Sequence, residues 1–581
     1  MKWLTAKNAL PSQASRVSIA YSAICLLMAL LLFLRLKWSW PDVTWQGDYW
    51  LINDIDNLMN GNLASTTWFE FGNRPWSLNG WRWFTYINVL VFNWNMSVEL
   101  FVYALIVLLI SLLFGRAILK SKSAWSPLEF ASLLIIPTSL FSMVGAGARG
   151  MELGTYAGIF FTLIMFKVAF DSKKNTLLAI LLPPGIVFIF TGSYTMPAAF
   201  ALCLVVLIHF KNNHNKLSLP NLFSTCISTI LSVLTYLVLF LTRPSSEPSV
   251  VGSFMTKVNS DFTYPFKFIF SSTASSVFTV STFEKFNDKT LPIVIACLAT
   301  AIWSLQILAI VKALQSGSRI LLLPLASIFY SIGITLLIMV TRPTGIYGMF
   351  SPWYSLHMKI GLVGSIFILI LSRLNLAKGL YYLNSILLVF SILGANLVQY
   401  ERQPYERVYF QQIQKATLYP ETLVVDSSGL TQLVVGMDES LKAIDVLKRN
   451  GLGVYRDEEG FANDLFLGKE FLKLGENYED GWVGQDSSFL FKRNLCMNLT
   501  MSIGNPPTVE SNIAKVFING LFWKNIEVST YGQKLEIPNR LEARQVRFEF
   551  DEYVNLAESN LGADQRNLSA LISVSCDLKN R

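Results

Sequence analysis

The chain has 581 residues, of which 52% are hydrophobic and 15% are charged. Ordinary soluble domains carry about 25% charged residues, so this composition, with a mean hydropathy of +0.44, excludes a wholly soluble protein. The formal net charge is +8, but the Lys and Arg residues lie in short loops between apolar runs. That placement is typical of membrane topology rather than of a nucleic-acid-binding surface. We therefore expect a lipid bilayer, and no nucleic acid, among the partners.

Apolar runs long enough to cross a bilayer, which takes about 20 residues per helix, recur along the first 400 residues. There are eleven, at residues 17–36, 98–118, 127–145, 152–170, 176–192, 195–211, 221–241, 291–312, 320–340, 356–372 and 379–399. The first is too long for a cleaved signal peptide and lacks a small-residue cleavage site. Basic clusters lie at alternate ends of these runs, beginning with Lys2, Lys7 and Arg16. The positive-inside rule then predicts a cytoplasmic N-terminus and an external C-terminus.

The first external segment, 37–97, combines acids, arginines and tryptophans. Residues 48–60 are predicted to form a short amphipathic helix on the membrane surface. Asp48, Asp54 and Asp56 fall within this stretch. Tryptophans at this depth are often interfacial anchors, but carboxylates near lipid are costly unless they face water, a partner or a substrate.

Glycosyl transfer at a membrane surface would use such a cluster. A carboxylate takes the proton from the acceptor hydroxyl, and cations stabilise a departing phosphate. Asp48, Asp54 and Asp56 are the candidate catalytic acids. The candidate donor-phosphate ligands come from several external turns: Arg74, Arg82, Arg149, Arg342 and Lys359. The candidate substrate-binding residues are Glu70, Trp81, Glu152, Tyr347, Tyr354 and His357. For each cation, contact with lipid headgroups is the alternative, and His357 alone is better explained as an interfacial hydrogen-bonder.

From residue 400 onward charges return and apolar residues alternate with polar ones. Residues 401–469 are predicted to be an α/β connecting segment, with a strand at 423–426 and a helix near 438–449. Residues 470–581 are predicted to be an external β-sandwich, because apolar residues at every second position are typical of half-buried strands. Val546, Phe548 and Phe550 show this pattern.

The six Cys and three His show no zinc-type spacing, so we expect no metal. Cys496 and Cys576 are the external cysteines. An oxidising periplasm favours their pairing, whereas their different phases along the predicted strands oppose it. The sequence therefore leaves two alternatives, a disulfide between Cys496 and Cys576 or two free thiols.

The stretch WFEFGNRPWSLNGWRWFTYINVLVFNWN, residues 68–95, gives the chain a family resemblance. With the acids after the first run, it resembles the GT-C superfamily of polyprenyl-phosphate-sugar-dependent glycosyltransferases, and especially phage-type serotype-converting O-antigen glucosyltransferases. Asn73 and Arg82 occupy places similar to that pattern. The Glu-His-Arg run of the family is replaced by Arg74-Pro75-Trp76, and the late "sRY" motif is replaced by Ser351-Pro352-Trp353-Tyr354.

The resemblance implies a GT-C-like fold of about eleven transmembrane helices over 1–400, serving as the catalytic module. DGWVGQDSSFLFK and LGADQRNLSALIS resemble motifs of an appended sandwich that binds carbohydrate in related enzymes. Candidate glycan contacts there are Trp482, Asp486, Asp564 and Arg566. The alternative is that these four residues stabilise the sandwich itself.

The resulting hypothesis is an inverting glycosyltransferase of the bacterial inner membrane. It would move a sugar, glucose by the resemblance, from undecaprenyl phosphate to a lipid-linked glycan such as O-antigen on the periplasmic face, without a cofactor. The resemblance further implies a flippase and a carrier-charging glycosyltransferase as partners. The rivals are an O-antigen polymerase or ligase and a lipid or glycan transporter. Transporters favour ionisable or broken segments at mid-membrane, whereas here polar groups gather at one face.

Overall fold

The computed structural model describes about two thirds of the chain. The described residues are 13–39, 51–63, 79–119, 127–141, 195–212, 226–235, 250–316 except 279 and 284, 318–341, 352–371, 413–420, 437–461 except 459, 471–491 except 479, 496–506, 509–538, 543–559 and 565–578, with isolated positions in 181–185 and 389–411. They fall into two compact units. The first unit comprises 1–40 and 57–406, and the second comprises 41–56 and 407–581.

The described elements of the first unit are helices joined by turns, and the second unit contains the helix Met437–Arg449 among others. The helices are α1 Gln13–Ser39, α2 Ile52–Met59, α3 Asn79–Phe92, α4 Met96–Leu119, α5 Pro127–Leu133, α6 Ile135–Phe141, α7 Thr195–Asn212, α8 Cys226–Thr235, α9 Val250–Ser260, α10 Tyr264–Ala274, α11 Val280–Phe283, α12 Leu291–Ser316, α13 Leu322–Thr341, α14 Pro352–Leu371 and α15 Met437–Arg449.

Four helices within the described residues are long and apolar enough to cross a membrane: Arg16–Ser39, Met96–Arg116, Leu291–Ser316 and Leu322–Val340. Each coincides with a predicted run. Shorter apolar helices cover parts of two further runs, at Cys226–Thr235 and His357–Leu371. The predicted runs at 152–170 and 379–399 lie largely or wholly outside the described residues, so the count of eleven stays a prediction.

The predicted run at 127–145 is not one continuous helix in the structure. Two short helices, α5 and α6, meet at Leu134. Pro137 accounts for the interruption, because proline has no backbone N–H for the carbonyl of Leu133 and its ring crowds that carbonyl.

Close helix packing in the first unit depends on small residues. A Cβ on Gly115 of α4 would lie 2.0 Å from the ring of Tyr21 on α1, and the Tyr21 hydroxyl donates to the carbonyl of Ser111 at 3.0 Å. A Cβ on Gly361 of α14 would lie 2.5 Å from Ser331 of α13. Glycine and serine at these crossings let the helix backbones approach, which is how helices associate in lipid.

The second unit is rich in strands: β1 Phe471–Asn477, β2 Trp482–Phe491, β3 Cys496–Gly504, β4 Ser511–Ile518, β5 Leu521–Ser529, β6 Gln533–Ile537, β7 Gln545–Phe550, β8 Val554–Asn555, β9 Asn567–Leu568 and β10 Ala570–Leu578. Eight of these form one antiparallel sheet in the order β5-β4-β7-β2-β10-β3-β6, with β1 also paired to β2, while β8 and β9 form a separate pair.

This sheet curls around a single core. Val546, Phe548 and Phe550 are buried in it, as their alternation predicts. The amide of Asn505 after β3 donates to the carbonyl of Ser529 at the end of β5, at 3.3 Å, so the sheet nearly closes on itself. The strand-rich region is therefore confirmed, but its main strands form one continuous curled sheet instead of two separate ones.

Candidate functional site

Helix α2 carries two acids of the segment 37–97, Asp54 and Asp56. Leu51, Ile52 and Ile55 are buried, whereas Asp54 is only half-buried. The structure thus has the predicted amphipathic helix, with its apolar face covered by protein. Residues up to Asp56 belong to the second unit.

Asp56 forms an ion pair within the second unit. Its Oδ1 accepts a hydrogen bond of 2.7 Å from the Arg449 guanidinium at the end of α15. Arg449 also lies 3.9 Å from Asp445, one turn earlier in the same helix. The guanidinium occupies this carboxylate oxygen and fixes the position of the Asp56 side chain. Asp56 is better explained as an anchor for α2, which leaves Asp54 and Asp48 as the candidate bases; Asp48 lies outside the described residues.

Among the candidate phosphate ligands, Lys359 is placed most clearly. It lies on α14, is 1% exposed, and Arg35 of α1 is close enough for the two positive charges to interact. Buried cations among apolar helices are costly, and they mark sites for anions or for transport. The sequence analysis did not select Arg35, although a charge inside the first apolar run was a signal for it.

His357 lies two residues before Lys359 and is also buried. Its Nδ1 is 2.7 Å from the Tyr330 hydroxyl of α13. This places His357 in the contact between α13 and α14, as a hydrogen-bonding residue.

The side chains of the remaining candidates, in segment 37–97 and in the later turns, lie outside the described part of the structure. For Trp81 and Arg82 on α3, and Tyr354 on α14, the structure describes the helical backbone only. The others lie outside the described residues: Glu70, Arg74, Arg149, Glu152, Arg342 and Tyr347.

Three of the four glycan-contact candidates, Trp482, Asp486 and Arg566, lie among the described residues. Asp486 on β2 receives two hydrogen bonds from Arg547 of β7, at 2.9 and 2.7 Å. Arg547 also pairs with Glu549, and its side chain is 10% exposed. The two carboxylates raise the pKa of Arg547 above its ordinary value, and the hydrogen bonds that Arg547 donates to Asp486 contribute most. Asp486 therefore stabilises the sheet, which agrees with the alternative in the sequence analysis that these residues stabilise the sandwich itself.

Trp482 and Arg566, in contrast, lie on one surface with Asp480, a residue that the sequence analysis did not select. The Asp480 carboxylate accepts from the Arg566 guanidinium at 2.8 Å and from the Trp482 amide at 3.4 Å. Arg566 also lies over the Tyr478 ring, 4.7 Å from its centroid. The hydrogen bond from Arg566 lowers the pKa of Asp480, so this carboxylate is ionised at neutral pH. Asp564 lies outside the described residues.

The two external cysteines lie on adjacent strands but are not paired in register. Cys576 of β10 is opposite Leu499 of β3, and Cys496 is opposite Leu578, with an irregularity between Asp577 and Leu578. The register therefore does not place the two backbones directly opposite, and the disulfide stays a prediction. Among the described residues no group of three or more His, Cys, Asp or Glu side chains could hold a metal.

Together, the described residues define a membrane protein of apolar helices followed by a strand-rich unit. No family model and no curated protein matches the chain. Among solved structures, the chain is similar to the arabinosyltransferase EmbB from Mycobacterium smegmatis, with 12% identity and a TM-score of 0.37 over 95% of this chain. The chain spans 64% of the length of that protein. A TM-score of this size establishes no shared fold, so function is inferred from the residues of this chain.

Proposed function

We propose that this protein is a membrane glycosyltransferase that moves a sugar from a polyprenyl-phosphate donor to a lipid-linked glycan. The observation that carries the proposal is Lys359, which is buried among apolar helices with Arg35 nearby. Two neighbouring cations in a low-dielectric environment favour an anionic ligand. A phosphate on a lipid carrier is the anion that reaches such a position from within the bilayer.

In the proposed reaction, an acceptor hydroxyl attacks the anomeric carbon of the donor sugar. Its proton passes to a carboxylate, for which Asp54 and Asp48 are proposed. The bond from the anomeric carbon to the phosphate oxygen breaks, and the carrier phosphate leaves with the bonding electrons, stabilised by Lys359 and Arg35. Direct displacement inverts the anomeric centre. The reaction as written uses no cofactor and no metal.

The finer assignments of this function are also proposals. We assign catalysis to the membrane module, with the N-terminus cytoplasmic and chemistry on the periplasmic face of a bacterial inner membrane. Glucose, undecaprenyl phosphate and an O-antigen acceptor follow from the resemblance to serotype-converting enzymes, as do a flippase and a carrier-charging glycosyltransferase as partners. For the second unit, the surface of Tyr478, Asp480, Trp482 and Arg566 is the proposed glycan contact, since half-buried aromatic rings beside charged hydrogen-bonding groups suit sugars.

The test is transfer of labelled sugar by the full chain in vesicles. Polyprenyl-phosphate glucose is supplied with a lipid-linked glycan, and product is measured for the wild type and for Lys359→Met. Dependence on the monophosphate donor, with loss of transfer in the variant, supports the proposal. Chain extension without that donor would instead indicate a polymerase or ligase, and flux without covalent product would indicate a transporter. Either of these outcomes overturns the proposed function.

A further inference from the structure

Glu99, a residue that the sequence analysis did not select, is a fully buried carboxylate in the membrane unit. It lies in the first turn of α4, a helix that is apolar enough to cross the membrane, and it is 0% exposed. A carboxylate at such a position is costly unless polar groups compensate for the lost water. Acids inside membrane helices are therefore functional candidates by default.

The structure holds Glu99 by a specific contact from the preceding helix. Asn88 of α3 donates from Nδ2 to Glu99 Oε1 at 3.2 Å. The same side chain also fixes the turn between the helices, because its Oδ1 accepts from the Asn95 amide at 3.1 Å and its Nδ2 contacts the Asn95 carbonyl at 3.2 Å. Asn88 thus determines where the Glu99 carboxylate lies.

Further buried polar groups surround this turn. Thr85 lies one helical turn before Asn88 and so shares its face, and Trp94 lies within the turn itself. Both side chains are 0% exposed, and neither Thr85 Oγ1 nor Trp94 Nε1 has a hydrogen-bond partner within the described part of the chain. Buried polar atoms are nearly always satisfied, so two such groups on the helix and turn that hold the buried acid favour a polar ligand.

The position of Glu99 relates it to the cations of the same unit. Helices α1 and α4 run antiparallel, since Phe33 meets Phe101 with ring centroids 5.8 Å apart while Tyr21 meets Ser111. Arg35 and Glu99 each lie two residues from the Phe33–Phe101 contact. Glu99 is therefore at the same level of the helix pair as Arg35, whose charge is within electrostatic range of Lys359.

We propose that Glu99 and Trp94 bind hydroxyl groups of the donor sugar, next to the phosphate site of Lys359 and Arg35. This deepens the proposed function and rests on it. A neutral polyol fits the groups present, because its hydroxyls donate to the carboxylate and accept from the indole N–H. A second phosphate fits poorly, since Glu99 would repel it. A metal ion also fits poorly, since no group of three or more His, Cys, Asp or Glu side chains that could hold one occurs among the described residues.

The experiment compares the donor with its sugar-free carrier. Thermal unfolding of the full chain in detergent is measured with polyprenyl-phosphate glucose and with polyprenyl phosphate alone, for wild type and Glu99→Gln. Glutamine still accepts the hydrogen bond from Asn88, so the turn is kept. A charge-assisted hydrogen bond is lost, and the apparent Kd for the sugar-bearing donor is expected to rise about 10- to 100-fold. The Kd for the bare carrier is expected to stay within about twofold of the wild type.

A matched control is Glu401→Gln, the same substitution at an exposed residue of the same unit that pairs with Lys285 at 3.4 Å. It is expected to leave both affinities unchanged. Should Glu99→Gln fail to fold, Trp94→Phe keeps an aromatic side chain at this position and removes the indole N–H, which has no partner among the described residues, together with part of the ring system. This variant is expected to unfold at a somewhat lower temperature, because a buried side chain becomes smaller, and to bind the sugar-bearing donor several-fold more weakly.

Equal binding of the sugar-bearing donor by wild type, Glu99→Gln and Trp94→Phe would overturn the inference. Because binding is measured without turnover, this outcome is distinct from failure of the proposed function, which would appear as a wild-type protein that binds the donor but forms no glycosidic product. A wild type that does not distinguish the donor from the bare carrier would also overturn the inference.

Discussion

Asp56 and Arg449 are 393 residues apart in sequence, and their side chains are joined by a hydrogen bond of 2.7 Å. The pair ties α2, which follows the first membrane helix, to the helix that precedes the strand-rich sheet. Asp54, two residues earlier on α2, is half-buried and belongs to the same unit. The pair therefore separates two proposed roles among neighbouring acids: Asp56 anchors the helix through Arg449, and Asp54 is the proposed base.

This division of roles predicts different outcomes for the same substitution at two positions. Asp54→Asn is expected to lower the turnover rate by about 10²- to 10⁴-fold, as for loss of a general base. Asp56→Asn is expected to retain most activity and to destabilise the protein by at most about 1 kcal/mol, because both partners are partly exposed and water screens the pair. The measurement is labelled-sugar transfer in vesicles, with Asp48→Asn run in parallel. Full activity of both Asp54→Asn and Asp48→Asn would exclude a first-segment base.

Exchanging the two charges of the Asp56–Arg449 pair tests whether this pair anchors α2. Arg449→Asp is expected to lower activity more than Asp56→Asn does, because it places like charges opposite each other. The double variant Asp56→Arg with Arg449→Asp is expected to recover part of that loss. Transfer rates of Asp56→Arg, Arg449→Asp and the double variant form a double-mutant cycle. Additive losses would show that the contact does not matter for function.

Lys359 is predicted to act on the donor phosphate. Lys359→Met removes the charge but keeps an apolar side chain of similar length, and the KM for the polyprenyl-phosphate donor is expected to rise by about tenfold or more, the loss of a charge-assisted hydrogen bond. The KM for the glycan acceptor is expected to change by less than about threefold. An unchanged donor KM together with an unchanged kcat would remove Lys359 from the site.

Gly115 is predicted to be irreplaceable in the packing of α1 against α4. In Gly115→Ala the new methyl group would lie 2.0 Å from the Tyr21 ring, so the helices must separate and the protein is expected to lose about 1–3 kcal/mol of stability. Gly185→Ala is the matched control, because no atom lies within 4 Å of its added Cβ. Thermal unfolding of the purified protein in detergent measures both. Equal unfolding temperatures would contradict this packing.

Arg547 is predicted to stabilise the sheet of the second unit. Arg547→Met leaves Asp486 and Glu549 without their shared guanidinium, and since the Arg547 side chain is 10% exposed, a loss of about 1–3 kcal/mol is expected. Lys534→Met serves as the control, because its pair with Glu536 is largely exposed and such pairs contribute at most about 1 kcal/mol. Hydrogen exchange of β2 and β7 amides reports the change locally. Protection equal to wild type would refute this role.

Part of the candidate site was predictable, because the sequence features that indicate it lie within single short segments of the chain. Three aspartates after an apolar run, and a lysine in the first turns of a late apolar helix, are visible in the sequence alone. The partners of these residues were not predictable from the sequence. Arg35, Glu99 and Arg449 lie in other segments, and their relevance depends on which helix faces which.

For the protein as a whole, the sequence by itself determined the character of the elements. Hydrophobic length specified membrane helices, alternation specified the strands around Val546, Phe548 and Phe550, and Gly451 marked the end of α15, because these patterns follow from the repeat of each backbone conformation. The tertiary structure alone decided that Asp56 pairs with Arg449, that Lys359 is buried beside Arg35, and that the strands form one curled sheet. Those outcomes depend on contacts between residues far apart in sequence, where packing and charge complementarity select one arrangement and no local period encodes it.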